Sequence, residues 1–122
     1  MVANNLLGLC ESLVYGHKAG LDLDQMIRML NKGSAGSAQI SNFGARMLRR
    51  DFEPGFYVEH LVKDLGICFD ECAKMDLRLP GMDLCKRLME EYQAMGGGRN
   101  GTHGLLEVLE KMNSTQVKKY DI

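Results

Sequence analysis

Apolar residues in this chain recur at three- and four-residue intervals, in stretches cut apart by glycine and proline, and nowhere alternate over a strand's length between hairpin turns. That period places side chains on one face of an α-helix and leaves no half-buried strand to build a sheet. Leu6, Leu7, Leu9, Cys10, Leu13 and Val14 mark a first helix from about Val2 to Ala19, closed by Gly20 as its C-cap. Asp22 with Gln25 has the form of a capping box for a short second helix carrying Met26, Ile27 and Leu30.

The Gly33 to Ser37 loop offers serines to cap a third helix, which runs to about Arg50 with Ile40, Phe43, Met47 and Leu48 inward. Arg46, Arg49 and Arg50 suit the negative end of its dipole. Glu53-Pro54-Gly55 turns the chain into a long fourth helix with Val58, Leu61, Val62, Leu65, Phe69, Cys72 and Met75 on one face, expected to be the central packing helix. After Leu79-Pro80-Gly81, a fifth helix spans about Met82 to Met95, and Gly96-Gly97-Gly98 breaks it. Thr102 or Asn100 is expected to cap a last helix bearing Leu105, Leu106, Val108, Leu109 and Met112, ahead of a frayed polar tail. The expectation is an all-α fold, a single bundle of about six helices.

With 122 residues the chain fits one domain able to bury its own core. Its 15 basic and 16 acidic residues are interspersed, so no broad positive field exists to hold a nucleic-acid backbone or an anionic membrane, and neither partner is expected. No apolar run is long enough for a membrane span and no signal peptide is seen, which leads to an expected cytoplasmic location. Cys10, Cys68, Cys72 and Cys85 form no CxxC pair and read as buried, reduced residues. His60 with Cys68 and Cys72 does not make a metal site, because the cysteines belong to or border the buried stripe and His17 and His103 are remote in sequence. The 9 methionines read as core packing.

Four separated stretches together resemble a helical domain of the β-hydroxyacid dehydrogenases. They are Met1-Val2-Ala3-Asn4-Asn5, then Lys18-Ala19-Gly20-Leu21-Asp22, then Arg46-Met47-Leu48 with Asp51-Phe52-Glu53-Pro54-Gly55-Phe56 and Lys63-Asp64-Leu65, and last Leu77-Arg78-Leu79-Pro80. The third is the most specific, because its order and its seven-residue step from Phe56 to Lys63 are hard to match by chance. The family includes 3-hydroxyisobutyrate dehydrogenase, tartronate semialdehyde reductase and glyoxylate/succinic semialdehyde reductase. The resemblance implies the C-terminal domain of such an enzyme, with a fold like the C-terminal domain of 6-phosphogluconate dehydrogenase. It implies NAD or NADP as cofactor of the whole enzyme, none held by this chain alone, and a separate N-terminal dinucleotide-binding domain outside these residues. Gly101-Thr102-His103-Gly104 departs from relatives that carry an acidic residue and a small hydroxyl residue before the last helix.

Position 1 departs most, since Met1 stands where the family's catalytic lysine would be. Oxidising a hydroxy acid needs a base for the hydroxyl proton while hydride leaves for the nicotinamide, and a thioether cannot serve. The resemblance implies that Asn5, one helical turn on, is the catalytic and substrate-binding amide, with Asn4 in support. From the residues alone, Asn4 and Asn5 simply begin a helix. Lys63 lies roughly 150° around its helix from the apolar stripe. Residues alone make it a solvated lysine; the resemblance implies that it approaches the nicotinamide end of the cofactor, with Asp64 orienting it and Ile67 on the same outward side. The Gly33 to Ser37 loop could present backbone N–H groups to an anion, though such loops more often only cap. Gly96-Gly97-Gly98 lacks the dinucleotide fingerprint and follows no strand, so no cofactor is assigned to it.

The expected function is therefore the C-terminal substrate-cleft and dimerisation domain of an NAD(P)-dependent 3-hydroxyacid dehydrogenase or semialdehyde reductase, inactive by itself. Its expected partners are a second copy in a homodimer, the dinucleotide-binding domain, and a small hydroxy acid or semialdehyde in the whole enzyme. The rival expectation is a non-enzymatic helical oligomerisation or interaction module.

Overall fold

A computed structural model describes residues 1–122 as six helices: α1 (Val2–Lys18), α2 (Leu23–Leu30), α3 (Ala38–Leu48), α4 (Val58–Lys74), α5 (Pro80–Ala94) and α6 (Leu105–Met112). Two 3₁₀ turns, Gly97–Arg99 and Thr102–Gly104, lie between the last two. The all-α bundle expected from the spacing is the observed fold. Asp22 caps α2 through Oδ1, which accepts from the N–H groups of Asp24 at 3.0 Å and Gln25 at 3.2 Å. Ser37 caps α3 by accepting from Ile40 N–H at 3.3 Å. Pro80, whose missing N–H costs nothing in a first turn, opens α5 two residues before the expected start.

The centre of the bundle is α1 and not α4. Helix α1 packs against α2, α3, α5 and α6, whereas α4 rests chiefly on α5 and the Gly97–Arg99 turn. The cause lies in the width of each apolar face. Ala3, Leu6, Leu7, Leu9, Cys10, Leu13 and Val14 spread over roughly 160° of α1, while Val58, Leu61, Leu65 and Cys72 of α4 share an arc of roughly 60°. Met75, read as part of the α4 stripe, is 63% exposed. Cys68 is exposed as well, unlike the other three cysteines, so the reading of all four as buried fails there. Among the methionines only Met47 and Met89 are buried, and Met1, Met29, Met75, Met95 and Met112 face solvent. An unbranched thioether on a helix edge satisfies the spacing rule without entering the core.

The C-terminal end differs most from expectation. Neither Asn100 nor Thr102 caps α6; Gly104 holds the cap position without a side-chain bond, and the chain enters through the 3₁₀ turn. Asn100 instead donates from Nδ2 to the Tyr92 hydroxyl at 2.9 Å. The tail is pinned, not frayed. Val117 is buried and donates its N–H to Glu110 Oε1 at 2.8 Å, Tyr120 donates its N–H to Leu48 O at 2.9 Å, and the Tyr120 hydroxyl accepts from Leu23 N–H at 3.1 Å.

A polar network fastens this end to α3. Arg50, just past α3 with φ of 60°, reaches Glu110, itself buried, and Glu107 at 3.4 Å. Tyr92 donates its hydroxyl to Glu107 Oε2 at 2.6 Å. Arg46 forms a two-pronged pair with Asp51, at 2.9 and 3.0 Å, and donates to Glu53 O at 2.6 Å. Arg46 and Arg50 therefore serve these bonds more than the α3 dipole for which the sequence suggested them.

Candidate functional site

The most specific motif of the sequence is in large part a structural device. Its Arg46–Asp51 pair folds the Asp51–Gly55 segment back under α3, and that segment docks on the 3₁₀ region. Gly101 donates its N–H to Phe52 O at 2.8 Å, Thr102 donates to Phe56 O at 3.1 Å, and Val58 donates to Asn100 O at 3.0 Å. His103, fully buried, stacks on Phe43 with ring centroids 4.6 Å apart. Its Nε2–H donates to Asp51 O at 2.8 Å, leaving Nδ1 bare and without a partner. Burial holds this imidazole below the ordinary histidine range. Asp51 is held down at about 2 by its bonds from Arg46.

The start of α1 stands between two grooves. One, of about 430 Å³, is lined by Asn4, Asn5, Gly8 and Ser12 of α1 and by Ser34, Ala35, Gly36 and Ser37 of the loop before α3. The other, of about 550 Å³, is mostly apolar and includes Met1, Val2, Asn4, Leu61, Asp64, Leu79 and Pro80. Asn4 and Asn5 behave differently. The Asn4 carbonyl oxygen accepts from Cys85 Sγ–H at 3.2 Å, and its amide nitrogen lies 2.5 Å from where a Cβ on Gly81 would stand. Burial raises the Cys85 thiol above its usual range, so it keeps the proton that it donates. Asn4 thus holds α1 to α5. Asn5 is exposed, and its carboxamide bonds to nothing in the chain, which leaves both its donor and its acceptor for another molecule.

Lys63 is 66% exposed and sits 3.1 Å from Asp64. An exposed pair of this kind adds little stability, so it has no clear task inside the bundle. Asp64 reaches the Met1–Asn4 groove; Lys63 does not line it, and Asn5 belongs to the groove on the other flank. The structure therefore does not gather Asn5 and Lys63 into one pocket of this chain. Ile67, one turn beyond Lys63, is 55% exposed, an apolar side chain facing outward beside a charged pair.

The sequence marks residues 33 to 37 as a capping loop that could also face an anion; that Ser34 to Ser37 share a groove with Asn5 depends on how α1 crosses α3 and has no local signal. The glycine run before α6 has a different explanation. Gly97 approaches the Tyr92 ring so closely that a Cβ would come within 2.5 Å of it, and Gly96 takes φ of 96°. No three His, Cys, Asp or Glu side chains converge on one point. No helix is long and apolar enough to cross a membrane.

The protein-family model described as NAD-binding of NADP-dependent 3-hydroxyisobutyrate dehydrogenase matches residues 1–109. The chain belongs to that family. A mitochondrial 3-hydroxyisobutyrate dehydrogenase-like protein of Arabidopsis thaliana is 48% identical over 120 residues, covering 98% of this chain and 36% of that protein. The 2-hydroxy-3-oxopropionate reductase of Escherichia coli is 32% identical over 112 residues, covering 92% of this chain and 38% of the reductase. A crystal structure of 3-hydroxyisobutyrate dehydrogenase from Salmonella typhimurium has the same fold, with a TM-score of 0.81 over 88% of this chain and 38% of that one, at 20% identity. The chain spans little more than a third of the length of the curated relatives it matches. The family description ties residues 1–109 to NAD binding and does not place them at the C-terminal end of an enzyme. Membership among dehydrogenases also does not favour the purely non-enzymatic module.

Proposed function

We propose that the chain is the helical domain of an NAD(P)-dependent dehydrogenase or reductase of small hydroxy acids and semialdehydes, and that it closes the active-site cleft against a separate dinucleotide-binding domain. The observation that carries this is Asn5: an exposed, unengaged carboxamide at the start of the central helix, in a groove, in a chain of this family. When bound, the nicotinamide supplies the hydride acceptor or donor. The fit of this chain to such a cofactor is confined to an edge, because it offers the outward Lys63 but neither a strand nor an open glycine loop. In this reading Lys63 contacts the cofactor, Asn5 binds and orients the substrate oxygen, and Asn4 fixes the helix that carries Asn5. Met1 has no proton to exchange, so the chain by itself is inactive.

The exposed apolar side chains Met1, Val2 and Leu79, which border one groove, are covered in this reading by another domain or by a second copy in a homodimer. The test joins the chain to the dinucleotide-binding domain of a relative, with Met1→Lys. Lys63→Ala should then raise the KM for cofactor, and Asn5→Ala should lower kcat/KM for the hydroxy acid while cofactor KM holds. Unchanged kinetics in both variants would remove these assignments.

A further inference from the structure

Five glycines lie within the α-helices, at Gly8, Gly16, Gly44, Gly66 and Gly81, the last packed on Asn4. Glycine is the poorest helix former after proline, so each calls for a reason. Gly16 has one: a Cβ there would stand 2.7 Å from side-chain atoms of Leu23 and Met26. Gly44 has one in the approach of Ile27 at 3.2 Å. At Gly8 and Gly66 a Cβ would meet nothing within 4 Å, so no packing inside the chain requires glycine at either. Yet Gly8 is no ordinary surface position, because it lines the same groove as Asn5, three residues before it, and Ser12, four residues after it. Residues at these steps share a helix face.

Across the groove stands the loop from Ser34 to Ser37. Gly36 has no freedom to change, since a Cβ would lie 2.6 Å from Asn31 O. The loop backbone therefore lies close to Asn31 at Gly36, and a side chain at position 8 would stand in the groove that the loop faces. The lining combines serines and asparagines with the apolar Leu9, Leu30, Ala35 and Ile40, and has no lysine, arginine, aspartate or glutamate. A hydroxyl can be matched by these neutral donors and acceptors, whereas a second carboxylate finds no cation there to pair with.

We infer that Gly8 is a specificity-determining residue: it keeps open a neutral groove, running from Asn5 between Ser12 and the Ser34–Ser37 loop, that receives the uncharged, hydroxyl-bearing end of the substrate. This rests on the proposed role of Asn5 in substrate binding. A bulky residue at position 8 closes the groove and leaves Asn5 in place. A second carboxylate on the substrate is disfavoured there.

The experiment is an amide-resonance titration of this chain with glycerate and with malate, in the wild type, Gly8→Leu and Asn5→Ala. Leucine is a far better helix former than glycine, so Gly8→Leu should melt higher than the wild type, which guards against an unfolded variant. The inference expects glycerate to shift the resonances of Asn5, Gly8, Ser12 and Ser34 to Ser37, malate to bind about tenfold or more weakly, and both Gly8→Leu and Asn5→Ala to lose the response. Shifts at Asn5 that omit the loop, or that persist in Gly8→Leu, overturn the role of Gly8 and leave that of Asn5 standing. A malate response equal to that of glycerate overturns the neutral-end assignment. No shift at any of these residues, Asn5 included, overturns the Asn5 reading and this inference with it.

Discussion

Asp51 holds the loop after α3 with both of its oxygen-bearing groups, the carboxylate on Arg46 and the backbone carbonyl on His103. These contacts titrate in separate windows. The imidazole of His103 is kept below its ordinary value of 6.5 by burial, so the folded state resists a proton that the unfolded state accepts. Stability is therefore complete above about pH 6.5 and declines as the pH falls toward the depressed value. The Asp51 carboxylate, lowered from 3.8 to about 2, adds stability that is full above 3.8 and lost as the pH falls through 2. Thermal melts of the wild type should thus weaken between neutrality and mild acid. His103→Phe should cost about 1–3 kcal/mol at pH 7 by orphaning the Asp51 carbonyl, yet show a flatter slope over that range. An equal slope in the variant would remove His103 from the account. At Asn5 the expectation is opposite in kind: Asn5→Ala should change stability by no more than about 0.5 kcal/mol, as measured by denaturant unfolding, because nothing in the chain depends on its amide.

At the scale of elements, the helices were legible because each carries a long run of the same period, and the Asp22 and Ser37 caps were legible because each needs only its own helix. The rank of the helices was not. Both α1 and α4 span 17 residues, and only the width of the buried face, set by which neighbours arrive, separates the centre from the edge. The last segment was misread for a related reason. Tyr120 finds its partners far away in sequence, on Leu23 and Leu48, while Asn100 and Val117 reach back across a turn to Tyr92 and Glu110, and no helical periodicity announces such bonds. Gly104 illustrates how tightly that end is assembled, since a Cβ there would run into the Tyr92 hydroxyl and ring. Gly104→Ala should destabilise by about 1–3 kcal/mol through overpacking, with unfolding midpoints as the readout. A neutral substitution would mean that the Tyr92 contact gives way easily.

For the whole molecule, Asn5, Lys63 and the apolar groove at Met1 lie on different flanks of the start of α1 and α4, and the bundle does not close them into one pocket. The candidate residues Asn5 and Lys63 come from the resemblance, residue by residue; the groove that joins Asn5 to the loop before α3 has no signal in the sequence, because it exists only after packing. In the proposed reading a partner domain completes this open site. The most direct measurement is turnover of this chain joined to a relative's dinucleotide-binding domain, with Met1 retained and with Met1→Lys, followed by nicotinamide absorbance over a panel of small hydroxy acids and semialdehydes. The account predicts turnover with lysine at position 1 and a loss of about 10²–10⁴-fold with methionine there, the range that a general acid–base group supplies. Equal rates for the two proteins, or no turnover in either despite correct folding and cofactor binding, would contradict it.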